Sequence, residues 1–224
     1  MSQCESCHAG CCRSFAAPVT GADMPRIERA LELGFWDLVC RWADPEGVIA
    51  KNHAPHFHFH DEPHTPWVIG LQHVSSTIDA SSTKCKFLVE EAPSTKHPLG
   101  RTSCEAYDAR PQTCRAFPNS LNDTSDLAII CQIPERARDE TTELYKLCPE
   151  PWEAEDFDPV TTIHDLVVCR YEMEFFCSLA AQWNRNPGSW ELFPEFLRLV
   201  YTSRIRSAEG ARNDETATIP LLTP

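Results

Sequence analysis

The stretch Cys104-Glu-Ala-Tyr107-Asp-Ala-Arg110-Pro111-Gln-Thr-Cys114-Arg115-Ala-Phe117-Pro118 puts two thiols, two guanidinium groups and a turn-setting proline close together. Upstream stands Cys85-Lys-Phe-Leu88, and Cys131 follows downstream. The chain opens with Cys4-x2-Cys7-x3-Cys11-Cys12, so eight of its 12 cysteines fall into one pattern. A thiolate is a soft, negatively charged ligand, and four at tetrahedral spacing suit zinc or an iron–sulfur cluster. A two-residue spacer lets the chain turn so that both sulfurs face one ion while backbone amides donate to them. The pattern therefore predicts metal ligation by Cys4, Cys7, Cys11, Cys12, Cys85, Cys104, Cys114 and Cys131. Two four-thiolate sites would use all eight. One site would leave the others as core or redox-active thiols, and chain order does not decide which cysteines share a site.

Length and composition narrow the role of such a metal. With 224 residues, 42% of them hydrophobic and 24% charged, the chain can bury a sizeable core without a metal staple. A metal would instead organise a loop-rich region poor in apolar surface. The net charge of -13 disfavours nonspecific nucleic-acid binding and anionic membranes, and it favours cation capture. No secretory pattern is visible at Met1–Gly10. The longest apolar stretch, Leu166–Trp183, is interrupted by Arg170, Glu172 and Glu174, so it predicts no membrane span. The expected compartment is the cytoplasm, where thiols outlast disulfides. Cys11 and Cys12, being adjacent, also make poor disulfide partners for each other.

The phrases around the cysteines resemble the YkgJ-like cysteine-cluster family (CxxCxxCC type), a zinc- or iron-chelating domain. Its pattern has an opening group ending in a vicinal pair, a Cys-x-Phe-Leu phrase, a Cys-x-x-Tyr phrase running into Arg-Pro-x-x-Cys-Arg, and a final cysteine. All eight positions have counterparts here, from Cys4 to Cys131. The spacer before Cys11–Cys12 is three residues where two is commoner. The resemblance implies zinc or an iron–sulfur cluster as cofactor, zinc being slightly favoured. It extends to a domain of flagellin lysine-methylating enzymes, which implies a link to protein modification. No nucleotide-like cofactor motif supports methyl transfer by this chain itself.

The expected fold class is α+β, an irregular metal-stabilised cysteine-cluster core with short strands plus C-terminal helices. The cluster domain is read over residues 1–135, with a histidine-rich insertion at 44–66. A helical extension follows over 136–207, then a disordered tail over 208–224. Met24–Ala43 reads as a helix capped by Asp23 and broken or bent at Gly34. Strands are expected at Trp67–Val74, Lys86–Val89 and Leu127–Ile133. A long helix from Thr161 or Thr162 stops near Asn184, before Asn186-Pro187-Gly188, and a second runs from Ser189 to Ser207.

A buried thiolate site carries negative charge that must be offset. Arg13, Arg110 and Arg115 are candidates, and Arg110 and Arg115 are the pair assigned to the cofactor; the bland alternative pairs Arg110 with Asp108 or Glu105. In His56-Phe57-His58-Phe59-His60 a strand would present three imidazoles on one face. They could take a second metal with Asp61 or Glu62, or face solvent while the phenylalanines pack inward. His8 is a spare ligand. Cys40, Cys169 and Cys177 read as small buried hydrophobes, and Cys148 as an exposed thiol. Trp152, Trp183 and Trp190 read as packing anchors.

No phosphate loop, dinucleotide fingerprint or nucleophile–base pair occurs, which leaves catalysis open. Three functions fit: a metalloprotein whose cluster has a redox or other chemical role, a structural-zinc module meeting a protein partner through its C-terminal helices, and a metal sequestration protein. The expected partners are a metal ion and that protein, with no nucleic acid and no membrane.

Overall fold

A computed structural model of the chain describes residues 9–52, 54–97, 100–122, 124, 128–130 and 153–217. The fold is α+β, with short antiparallel strands in small sheets and two long C-terminal helices. The main sheet has three strands in the order β1 (Val39–Ala43), β3 (Glu62–Leu71), β2 (Phe57–Phe59). β1 runs antiparallel along β3 from Val39 opposite Leu71 to Ala43 opposite Trp67. β2 turns back through His60 and Asp61, setting Phe59 opposite Glu62. Residues 17–19 pass over the same strand, with Val19 N donating to Ile69 O (3.1 Å) and Leu71 N to Ala17 O (3.0 Å). Gly70 permits this approach, because a Cβ there would meet Ala17 O at 2.9 Å.

The helix expected over Met24–Ala43 is corrected to three pieces. α2 (Asp23–Leu31) ends where Glu32 turns left-handed at φ 54, α3 (Phe35–Leu38) is a single turn, and β1 begins at Val39. Asp37 receives the amide of Gly34 (3.3 Å), which starts α3 afresh. Periodicity at Ile27, Ala30, Leu31 and Leu38 mimicked a continuous helix. The β-branched and aromatic residues of Val39–Trp42 are claimed by pairing with β3 instead.

Three two-stranded ribbons follow: β4 (His73–Ser75) with β5 (Thr83–Cys85), β6 (Leu88–Glu90) with β7 (Thr102–Cys104), and β8 (Asn119–Leu121) with β9 (Ala128–Ile130). The single strand expected over Trp67–Val74 is thus divided at Gln72, whose amide and carbonyl bond Leu38 and Lys86. Ile133 and the end of the strand read over Leu127–Ile133 lie outside the described residues.

α5 (Pro159–Trp183) begins on Asp158, whose carboxylate accepts from Thr161 N at 2.8 Å, so the cap lies just before the threonines read from sequence. α6 (Phe193–Ala217) extends beyond the Ser207 bound expected for it, into the segment read as a tail; residues 218–224 lie outside the described residues. Both helices share one core with the sheet. Phe57, Phe59, Phe176 and Phe193 are fully covered, their rings 4.9 to 5.4 Å apart along the contacts Phe57–Phe176, Phe57–Phe193 and Phe59–Phe193. Full burial of such a ring contributes about 1.5–3 kcal/mol. α6 also closes on the start of α2, where a Cβ on Gly21 would lie 2.1 Å from the ring of Tyr201. On the outward side of α5, Val160, Ile163, Val167 and Tyr171 are exposed. No described helix is long and apolar enough to cross a membrane.

Candidate metal centre

Four separate segments bring cysteines to one side of the molecule. α1 (Cys11–Ser14) is a single turn, closed by Phe15 N donating to Cys11 O at 3.1 Å, and it sets the Cys11 and Cys12 sulfurs 3.9 Å apart. It packs on β5, whose last residue is Cys85. β7 ends at Cys104, directly opposite Leu88 of β6, and Glu105 N bonds Phe87 O (2.9 Å) to fix the crossing. α4 (Gln112–Ala116) carries Cys114, and α5 packs against it.

α2 holds the Arg110–Cys114 segment in place. Asp23 is buried, and its carboxylate accepts from Thr20 N (2.9 Å), Arg26 (2.6 Å) and Gln112 N (3.1 Å), the last being the first amide of α4. The same Arg26 donates to the carbonyls of Ala109 (2.8 Å) and Arg110 (2.9 Å). Thr113 Oγ1 donates to Pro18 O (2.7 Å) beside the main sheet. Asp23, expected as the helix cap, is instead the first residue of α2, with Ala22 in the cap position. Its larger task, orienting a second helix 89 residues away, leaves no local signal in the sequence.

The five thiols feel one another. In the Cys11–Cys12 pair the shared hydrogen bond lowers the pKa of Cys11 and raises that of Cys12 well above its ordinary value; burial and the charges of Cys11, Cys85 and Cys114 raise Cys12 further. Burial pushes Cys114 well up, and the charges of Cys85, Cys11 and Cys104 add to it. Burial likewise takes Cys85 to about 11, with Cys104 and Cys11 contributing. Cys104 is raised by burial, against which the backbone hydrogen bond from Ala106 and then the Arg110 guanidinium pull it back. Such a group resists losing several protons unless a cation arrives to replace them. Five thiols stand against the carboxylates of Asp23 and Glu105, and that of Asp23 is occupied by hydrogen bonds, so the chemistry fits a thiophilic metal. Among the described residues no three His, Cys, Asp or Glu side chains stand at metal-ligand spacing. Cys4, Cys7 and Cys131 lie outside the described residues, as do His8, Cys148 and Trp152.

The expected counter-charges divide. Arg110 lies over the ring of Tyr107 at 4.4 Å and acts on Cys104. Arg115 donates to the carbonyls of Asp108 and Arg110, so its described bonds brace the loop that carries Arg110. Arg13 turns to Glu90 at 2.5 Å. Lys84, which sequence reading passed over, favours the Cys85 thiolate; its position next to Cys85 was the available signal.

The histidine segment takes the packing alternative. Phe57 and Phe59 point into the core, and His56 Nε2 meets Asp44 Oδ2 at 2.9 Å. The edge of β2 is bonded by α5: Asn184 accepts from His58 N and donates to His56 O, both at 2.8 Å, and Trp183 Nε1 donates to His58 O (2.8 Å). Trp183 and Trp190 are packing anchors against Phe193. Cys40 lies on β1 rather than on a helix, and burial raises it to about 11. Burial also raises Cys169, to about 12, and Cys177, as suits unreactive thiols.

A family model covers the part of the chain that carries these cysteines. The model for CxxCxxCC, described as "Putative zinc- or iron-chelating domain", matches residues 3–149, more than half of the chain. No curated protein and no solved structure matches the chain.

Proposed function

The chain belongs to the CxxCxxCC family, and on that footing we propose that it is a thiolate metalloprotein binding zinc or an iron–sulfur cluster through Cys4, Cys7, Cys11, Cys12, Cys85, Cys104, Cys114 and Cys131. The observation that carries the proposal is the packing of α1, which holds the Cys11 and Cys12 sulfurs 3.9 Å apart, on β5, which ends in Cys85, with Cys104 and Cys114 arriving from two further chain segments. Local sequence contacts alone would not gather them.

In this reading Arg110 and Lys84 offset thiolate charge, and Arg115 and Arg26 hold the Arg110 loop in register. Zinc would supply a redox-inert cross-link between the four segments, whereas an iron–sulfur cluster would supply an electron-transfer site. Zinc is the first assignment. The chain works in a reducing compartment, the cytoplasm, where its thiols stay free to bind metal.

The test is metal and sulfide analysis with an absorption spectrum on protein purified without oxygen. About two zinc ions per chain and no visible colour would support two closed four-thiolate sites and a structural role. About four irons with matching sulfide and a brown colour would move the assignment to iron–sulfur. Protein that is folded, fully reduced and free of both metals, and that takes up neither on reconstitution, would overturn the proposal.

A further inference from the structure

We propose that Glu90 is the positioning residue of the thiol cluster: one buried carboxylate clamps together the segments that carry Cys11, Cys12, Cys85 and Cys104. The inference rests on the metal reading above and deepens it. Glu90 Oε1 meets Arg13 Nη1 at 2.5 Å and accepts from Ser76 Oγ at 2.7 Å. Its other oxygen accepts from Thr77 N and Thr77 Oγ1, both at 2.7 Å, and lies 3.5 Å from Lys84 Nζ. The Arg13 and Glu90 side chains have 0% exposure.

The partners of this carboxylate are placed next to the ligands. Arg13 follows Cys12 in the same single helical turn. Lys84 precedes Cys85 in β5 and also donates to Leu88 O. Glu90 itself is opposite Thr102 in β7, the strand that ends at Cys104. A one-turn helix has little stability of its own, and two-stranded ribbons are marginal in isolation. Their relative placement must come from cross-links such as this one.

Stability alone is a poor reason for the network. A buried ion pair is often no better for stability than an apolar replacement of the same size, because removing both charges from water is costly. What apolar side chains cannot do is fix direction, and several charge-assisted hydrogen bonds converging on one carboxylate do so. The network gathers Arg13 and Lys84 on one carboxylate beside thiols that must ionise to bind metal, and Arg13 also faces the Asp79 carboxylate.

The test is anaerobic titration of the reduced, metal-free full chain with cobalt(II), whose visible bands report tetrahedral thiolate coordination. Wild type, Glu90→Gln, Ser76→Ala and the remote core variant Phe176→Leu are compared, each checked for folding by circular dichroism. Glu90→Gln is expected to weaken cobalt binding about tenfold to a hundredfold and to alter the bands, the range seen when supporting partners of metal ligands are removed. Phe176→Leu is expected to melt lower yet bind cobalt as wild type does. Folded Glu90→Gln with wild-type affinity and spectrum would overturn the positioning role, as would an equal loss in Phe176→Leu. Should Glu90→Gln fail to fold, Ser76→Ala decides on the same criteria, since Ser76 bonds both Glu90 (2.7 Å) and Arg13 (3.3 Å). No cobalt binding by wild type overturns the metal reading itself, and the positioning role with it.

Discussion

The cysteine side and the aromatic side of this molecule are held together by different physics. On the aromatic side β2, α5 and α6 meet through Phe57, Phe59, Phe176, Trp183, Trp190 and Phe193, whose rings pack at 4.9 to 5.9 Å. On the cysteine side the elements are single turns and two-stranded ribbons, joined by buried charges at Asp23 and Glu90. Apolar burial needs no direction and tolerates small errors, whereas a thiol cluster needs its sulfurs in set positions. The first region can therefore serve as scaffold for the second. The histidine-rich insertion and the helical extension, which the cysteine pattern leaves unexplained, bind each other: Asn184 and Trp183 of the helical hairpin bond the free edge of β2.

The largest effect should come from the scaffold. Phe193 touches Phe35, Phe57, Phe59, Trp183 and Trp190, so Phe193→Ala is expected to cost about 3–5 kcal/mol in urea unfolding. The loss should be similar with and without metal. A loss confined to the metal-bound form would break the division between the two regions.

Acid should act on the other region. Glu90 is lowered from 4.5 to about 2; burial opposes the shift, but hydrogen bonds from Thr77, Ser76 and Arg13 outweigh it. A carboxylate with a depressed folded-state pKa stabilises the fold above its unfolded pKa. That stability, on the order of 3 kcal/mol, is lost as pH falls from about 4.5 to about 2. Unfolding of metal-free Glu90→Gln followed from pH 6 to 2 should lack this component, and an unchanged acid profile would contradict it.

A smaller effect is expected where the two additions meet. Asn184→Ala leaves His58 N and His56 O without their partner and should cost about 1–3 kcal/mol by thermal or urea unfolding. Metal content should stay the same. Smallest of all is the replacement of His56, His58 and His60 by alanine. Loss of the 2.9 Å contact from His56 to Asp44 should cost about 1 kcal/mol, with no change in bound metal. Metal lost from the folded triple variant would return the segment to a ligand role.

Sequence reading reached different depths in the two regions. Family membership was legible in the cysteine spacing and the Arg-Pro-x-x-Cys-Arg phrase, because these are short, fixed intervals along the chain. The alternation Phe57-His58-Phe59 likewise foretold which side chains enter the core, since strand periodicity is local. β1 was misread as helix because pairing of Val39–Ala43 with a strand some 30 residues later overrode local periodicity. The roles of Asp23, read only as a cap, and of Glu90, which no motif singled out, escaped for a related reason. Their partners, Gln112 and Arg13, lie 89 and 77 positions away, and no spacing rule connects them.

The central claim is that Cys114 belongs to a metal-binding cluster while Cys40 is an inert core thiol. Metal content per folded chain, measured side by side on anaerobically purified Cys114→Ser and Cys40→Ser, tests it most directly. The account predicts full metal in Cys40→Ser and a clear loss in Cys114→Ser, with helical circular dichroism kept in both. Equal metal content in the two folded variants would contradict it.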